Sequence, residues 1–207
     1  MPDYPFKRAL DLALAIPIFS LSLPVQTVVA VLVFTRMGRP VLFRQVRPGL
    51  HGTPFVMYKV RTMRPLDRSR GWTTDAERLT PLGRRLRAMS LDELPSLWNV
   101  IRGDMSLVGP RPLLMQYLER YSPEQALRHE VRPGLTGLAQ VSGRNTLTWE
   151  ERFRLDLEYI QNESLRLDLR ILRDTIKSVV RRQGINAEGE ATMAEYFGPD
   201  LVGGQYD

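Results

Sequence analysis

The sequence predicts an α+β, mainly helical fold. An N-terminal helix enters a membrane and turns back at Pro24, a short β-hairpin follows, and amphipathic helices gather around a polar site. Three observations predict this. Between Asp11 and Arg36 lie 24 residues without a charge, LALAIPIFSLSLPVQTVVAVLVFT. After them, short apolar pieces alternate with turn residues at Pro48-Gly49 and Gly52. Toward the C-terminus, apolar residues recur at helical spacing over two long stretches. The chain divides into an anchor over 1–38, a main domain over 39–182 and a tail over 183–207.

The uncharged run is long enough to span a hydrocarbon core of about 30 Å as a helix. It is too long for a signal peptide, and no small-residue cleavage site follows it. Pro24 removes a backbone hydrogen bond in mid-run, and Ser20, Ser22, Gln26 and Thr27 around it can satisfy the freed groups locally. Lys7 and Arg8 precede the run and Arg36 and Arg39 follow it, so the positive-inside rule keeps both ends on the cytoplasmic side. A re-entrant anchor is the expectation; a spanning helix that tolerates its proline is the alternative.

Strands are expected near 41–46 and 54–60, joined as a hairpin. Residues 64–75 read as a polar loop. LTPLGRRLRAMS reads as a helix capped by Thr80 with Pro81 at its first position. Another helix is expected from about residue 92, then a turn-rich stretch over 102–112. SPEQALRHE carries a capping box, Ser122 with Gln125. VRPGLTGLAQVSGRN reads as a glycine-rich loop. Phe153, Leu157 and Ile160 mark one closing helix. Leu165, Leu169, Leu172, Ile176 and Val179 mark the second, with Ser164 as its cap. On the other face of that second helix stand Arg166, Arg170, Arg173, Lys177 and Arg181. It either lies on anionic headgroups or packs on the core with its basic face in water.

The composition narrows the chemistry. With no cysteine there is no disulfide, thiolate zinc site or thiol nucleophile, and with only His51 and His129 a histidine metal cluster is disfavoured. A net charge of +6, carried by 26 arginines and only three lysines, points to an anionic partner and suits two-pronged phosphate binding. Neither a P-loop nor a Rossmann glycine pattern is present.

In SLDELPSLWN, Asp92 and Glu93 stand side by side before Pro95. Three roles compete for them: a helix cap, a metal site and a nucleophile. Ser90 with Glu93 fits a capping box, but Pro95 would then fall inside the hydrogen-bonded helix at a cost of about 3 kcal/mol. A helix starting at Asp92 avoids this and places the carboxylate at the positive end of the helix dipole, which favours its ionised form. Cations are near in sequence: Arg84, Arg85 and Arg87 before the pair, and Arg111 held between Pro110 and Pro112 after it. Lys59, Arg61 and Arg64 form a further basic cluster, as do Arg132 and Arg144. Carboxylates beside phosphate-suited cations suggest metal-assisted phosphoryl chemistry.

LFRQVRPGLHGTPFVMYKVRTM, SLDELPSLWNVIRGDMSLVGPRP and VRPGLTGLAQVSGRNTLTWEERFRLDLEYI together resemble the bacterial sugar transferases, the monotopic phosphoglycosyl transferases. The resemblance covers the chain to about residue 180. It implies that 39–182 is a phosphoglycosyl transferase domain at the cytoplasmic face of the bacterial inner membrane. The implied reaction moves a sugar 1-phosphate from a UDP-sugar to undecaprenyl phosphate and releases UMP. In the family's pattern Asp92 is the nucleophile that carries a covalent phosphosugar, Glu93 supports it, and Mg²⁺ is required, with Asp92 as its ligand. Lys59, Arg111 and Asp168 match further functional positions, and Arg87 and Arg144 are expected to contact nucleotide or phosphate. Membrane lipids are implied partners, nucleic acid is not, and a homodimer is allowed. The tail INAEGEATMAEYFG looks like the end of the enzymes that transfer diacetylbacillosamine phosphate. The chain departs from the family at the helix break, with Leu23-Pro24 where Ser-Pro is common; Ser22 is the expected substitute donor.

Overall fold

The computed structural model describes residues 4–143, 147–181 and 195–198. Helix α1 (Lys7–Met37) is, among these, the one helix long and apolar enough to cross a membrane by length and composition. Pro17 and Pro24 both lie inside it, so Pro24 does not interrupt the helix as expected. Donors on either side of the proline occupy carbonyls of the turn before it: Ser22 Oγ donates to Phe19 O at 2.8 Å and Thr27 Oγ1 to Leu23 O at 2.9 Å. The turn thus stays helical while its backbone remains supplied with partners.

Both ends of α1 are fastened to the rest of the molecule. Arg8 donates to Val100 O and Ile101 O at 2.6 and 2.7 Å. Asp11 accepts from Ser106 Oγ and the Leu107 amide. At the far end Arg61 donates to Met37 O and Gly38 O at 2.5 and 2.7 Å, capping the helix carbonyls. Ala15 joins the main core and Val29 and Val33 join a second cluster with Val60 and Leu86. Between them Leu21 (80 % exposed), Leu23 and Val28 stand clear.

Strands β1 (Leu42–Pro48) and β2 (Pro54–Val60) form the predicted antiparallel hairpin, with Phe43 opposite Lys59. The polar stretch that follows contains the short helix α2 (Asp75–Arg78), which carries a Thr74–Glu77 capping box. Helix α3 (Pro81–Ala88) starts as its sequence demands, with the Thr80 side chain accepting from the Gly83 amide. A Cβ at Gly83 would lie 2.0 Å from Thr62 O, so glycine lets α3 press directly on the chain leaving β2.

The helix expected from residue 92 is instead a 3-10 turn, Leu91–Ser96, running into α4 (Leu97–Arg102). The Ser90 capping box is absent: Ser90 has left-handed backbone angles (φ 55°, ψ 21°) and its side chain makes no cap bond. That conformation turns the chain sharply after α3. Ser96 and Asn99 then bond the β2 backbone, Ser96 Oγ to Tyr58 O at 2.7 Å and Asn99 Nδ2 to Val56 O at 2.8 Å.

Two expected loops contain structure. Three-residue strands β3 (Ser106–Val108) and, after the capped helix α5 (Pro123–Ala126), β4 (Gly134–Thr136) pair in parallel, and α6 (Leu138–Ser142) follows. The glycines there serve close packing, since a Cβ on Gly134 would sit 2.1 Å from the Gly109 amide nitrogen. Helices α7 (Trp149–Gln161) and α8 (Leu165–Arg181) close the fold, with Ser164 Oγ accepting from the Leu167 amide. The apolar stripe of α8 is split: Leu165, Leu169 and Ile176 are exposed, while Leu172 packs half-buried on the main core beside the buried Asp168 and Ile171. Part of the apolar surface of α8 is therefore left in the open.

Candidate active site

Lys59 near the end of β2, the acidic pair in the 3-10 turn and Arg111 after β3 converge. The bonds from Ser96 and Asn99 to β2 set Lys59 beside the turn. Lys59 Nζ lies 2.6 Å from Glu93 Oε1, and Arg111 Nη2 lies 2.8 Å from the same oxygen. The strand pair positions Arg111, because the Gly109 amide donates to Thr136 O and the Gly134 amide to Pro110 O, both at 2.9 Å.

Asp92 differs from its neighbour. It is buried (8 % exposed), and among the described residues its carboxylate makes no hydrogen bond or ion pair. Burial, and then the charge of Glu93, raise its pKa, against the opposing pull of Lys59, Arg87 and Arg111. Burial would also raise Glu93, but the charges of Lys59 and Arg111 and their hydrogen bonds hold it well below the usual carboxylate range. Glu93 is therefore the counterion of Lys59 and Arg111, and Asp92 is the carboxylate without a hydrogen bond or ion pair among the described residues. Arg87 Nε donates to Thr62 Oγ1 at 3.0 Å and feels the charge of Asp92.

Further arginines surround Arg111 that the sequence reading passed over. Arg128, 3 % exposed, pairs with Asp156 Oδ2 at 2.6 Å and donates to Arg111 O at 2.9 Å. Arg47 and Arg152 are each pulled down to about 10 by burial and then by the charge of Arg111. Sequence patterns carry no sign of these neighbours, which come from β1, from the 3-10 turn Leu127–His129 after α5 and from α7. The surplus of positive charge favours an anion with several oxygens.

The remaining expected site residues fall elsewhere. Asp168 is 1 % exposed and bonded to Lys7 Nζ (2.7 Å), Tyr4 OH (2.9 Å) and Tyr159 OH (2.8 Å). It ties α8 to the start of α1, and the structure does not bring it to the dyad. Arg61 is committed to the end of α1. Arg144 lies outside the described residues, as does most of the tail. Of that tail, Tyr196 is seated against Tyr117, Trp149 and Phe153.

Among the described residues no group of three or more His, Cys, Asp or Glu side chains could hold a metal ion. What the site offers is two adjacent carboxylates, one of which, Asp92, has no hydrogen bond or ion pair among the described residues. This donor set fits Mg²⁺, which is commonly held by one or two carboxylates together with substrate phosphates.

A model described as bacterial sugar transferase matches residues 3–182. An uncharacterized sugar transferase, EpsL, of Bacillus subtilis is 48 % identical over 193 residues, covering 93 % of this chain and 96 % of the relative. A UDP-glucose:undecaprenyl-phosphate glucose-1-phosphate transferase of Caulobacter vibrioides is 45 % identical, covering 84 % of this chain and 69 % of the relative. An undecaprenyl-phosphate galactose phosphotransferase of Salmonella typhimurium is 39 % identical; the chain spans only 41 % of that relative's length.

Proposed function

The chain belongs to the bacterial sugar transferase family, and on that premise we propose that it transfers a sugar 1-phosphate from a UDP-sugar to undecaprenyl phosphate. It is a phosphoglycosyl transferase, as its relatives' names indicate. The observation that carries the reading is the asymmetry of the dyad: Glu93 is neutralised by Lys59 and Arg111, while Asp92 is open.

An Asp92 oxygen attacks the phosphorus that bears the sugar. The phosphoanhydride bond to UMP breaks, UMP leaves with the electron pair, and the phosphosugar remains joined to Asp92 as an acyl phosphate. An oxygen of the lipid phosphate then attacks the same phosphorus. The bond to Asp92 breaks, its carboxylate is restored, and a lipid diphosphosugar departs. Lys59 and Arg111 orient Glu93, and the positive charge gathered around Arg111 attracts the donor's phosphates. Bound Mg²⁺, with Asp92 as its protein ligand, would neutralise diphosphate charge.

The anchor fits a reaction between a water-soluble donor and a membrane-borne acceptor. Both ends of α1 are bolted to one polar body while its middle stands clear, an arrangement suited to an arch dipping into one leaflet. The outward apolar row of α8 suits the same interface, the cytoplasmic face of the inner membrane. The tail's resemblance favours a diacetylbacillosamine-type sugar, whereas two relatives are named for glucose and galactose.

The test is UMP release from a panel of UDP-sugars, these three included, with undecaprenyl phosphate in detergent. One donor should support turnover to a lipid diphosphosugar. Donor consumption that yields a nucleoside diphosphate instead of UMP would overturn the reading.

A further inference from the structure

Arg47 is a cation that the protein itself does not neutralise. It stands near the far end of β1, opposite Phe55. Its Nη2 donates to Gln45 Oε1 at 2.6 Å, and its Nη1 reaches the Pro112 carbonyl only at 3.5 Å. Its Nε is buried and makes no hydrogen bond. Among the described residues no carboxylate pairs with it, whereas Arg111 has Glu93 and Arg128 has Asp156. Burial and then the charge of Arg111 pull its pKa down to about 10, so it stays charged at neutral pH in a place that disfavours charge. A half-buried cation with only neutral partners costs stability, and such costs recur where a ligand completes the group.

We infer that Arg47 holds the phosphate of the donor that leaves as UMP, while Asp92 attacks the neighbouring phosphorus, an inference that rests on the function proposed above. Three observations set the two phosphates in this order. The guanidinium folds back to Gln45, which stands two residues, about 7 Å along the strand, from Phe43 and its partner Lys59. A group held there is set apart from the dyad yet within reach of the same substrate. Pro112, whose carbonyl Arg47 approaches, follows Arg111, whose own guanidinium reaches Glu93. Arg111 thus links the dyad to Arg47, and a diphosphate laid along it has one phosphate toward each. The near end of the hairpin, Leu42 with Val60, adjoins the end of α1. Arg47 lies toward the other end, the side from which a water-soluble nucleotide arrives. As Asp92 bonds the phosphorus that bears the sugar, the anhydride bond breaks and its electron pair passes to the bridging oxygen, which departs on UMP. The N–H groups of Arg47 meet the charge that collects there. UMP has gone before the lipid phosphate attacks, so Arg47 serves the first half-reaction and not the second.

UMP itself is the probe, titrated calorimetrically into the full-length protein in detergent with Mg²⁺. Arg47→Gln keeps a polar side chain and removes its charge. The Kd for UMP should rise about tenfold to a hundredfold, the weight of a charge-assisted hydrogen bond. Arg47→Lys, which restores the charge without the fork, should recover part of the loss. Uridine, which has no phosphate, should bind parent and variants alike. The rate at which undecaprenyl phosphate discharges the phosphosugar from Asp92 should equal the parent's, a readout that a distorted fold would lower as well. A UMP Kd unmoved by either substitution would overturn the inference and leave the proposed function standing. Equal losses in UMP binding and lipid-driven discharge, with a lowered unfolding midpoint, would make Arg47 a brace for the Pro112 turn and also overturn it. A parent that binds no UMP would remove the proposed function and this inference with it.

Discussion

Two lysine–carboxylate pairs in this molecule have nearly the same length and opposite circumstances. Lys7 and Asp168 meet at 2.7 Å with each side chain 2 % exposed. Lys59 and Glu93 meet at 2.6 Å with 19 % and 22 % exposed. The first pair is closed: two tyrosines and the Val108 carbonyl complete its hydrogen bonds. The second is shared with Arg111, borders an open carboxylate and sits among further cations. Ion pairing alone does not make a site; what matters is whether a charge remains for a substrate to complete. The sealed pair holds the start of α1 against α8, and the accessible pair prepares Asp92.

The comparison is sharpest in stability. Asp168→Ala leaves Lys7 charged in a dry environment, apart from nearby Glu163, and should cost about 3–5 kcal/mol, read from the denaturant midpoint in detergent. Glu93→Gln should cost less, because water reaches Lys59 and Arg111, while donor turnover falls steeply. Equal losses from the two substitutions would erase the distinction.

Arg111→Lys keeps the charge but loses the planar fork, so donor turnover should fall about tenfold to a hundredfold with the unfolding midpoint little changed. Activity equal to the parent would make Arg111 a packing residue.

The sequence already carried much of this. The hairpin, the Thr80 and Ser122 caps and the Ser164 start of α8 rest on local rules, and each formed as those rules require. Asp92, Glu93, Lys59 and Arg111 were singled out from residue types and family pattern, and the fold brings them together. What stayed hidden depends on distant partners. β3 and β4 are three residues each and pair across more than twenty positions, so no local periodicity announces them. Glycines 134 and 137 looked like loop formers because sequence does not show the backbone of Gly109 pressed against them. Asp168 was named from the family pattern alone, and its burial against Lys7, Tyr4 and Tyr159 is invisible in residue types. The choice between the two readings of α8 was hidden for the same reason: only part of its apolar stripe, Leu172, packs on the core, and Leu165, Leu169 and Ile176 stay exposed.

The dyad carries a smaller signature in pH. Glu93 has its folded pKa below the unfolded value, so its ionisation adds stability above about pH 4.3, and that contribution is lost as pH falls below this. Asp92 has the opposite sign: its folded pKa is raised, so ionising it costs stability as pH rises above about 3.9. In chelator, Glu93→Gln should flatten the acid limb of the stability curve. Asp92→Asn should be at least as stable as the parent at pH 7. A destabilised Asp92→Asn would mean that its carboxylate is a structural anchor like Asp168.

The central claim, that Asp92 is left open in order to bond phosphorus, is tested most directly by trapping. With Mg²⁺ and the accepted UDP-sugar but no lipid, the protein should release about one UMP per active site, as covalent catalysis requires. Intact-mass analysis after a mild acid quench should then show one added phosphosugar, mapping to Asp92 and absent from Asp92→Asn. UMP release that strictly requires undecaprenyl phosphate, with no adduct trapped on Asp92, would contradict the account and make the transfer direct.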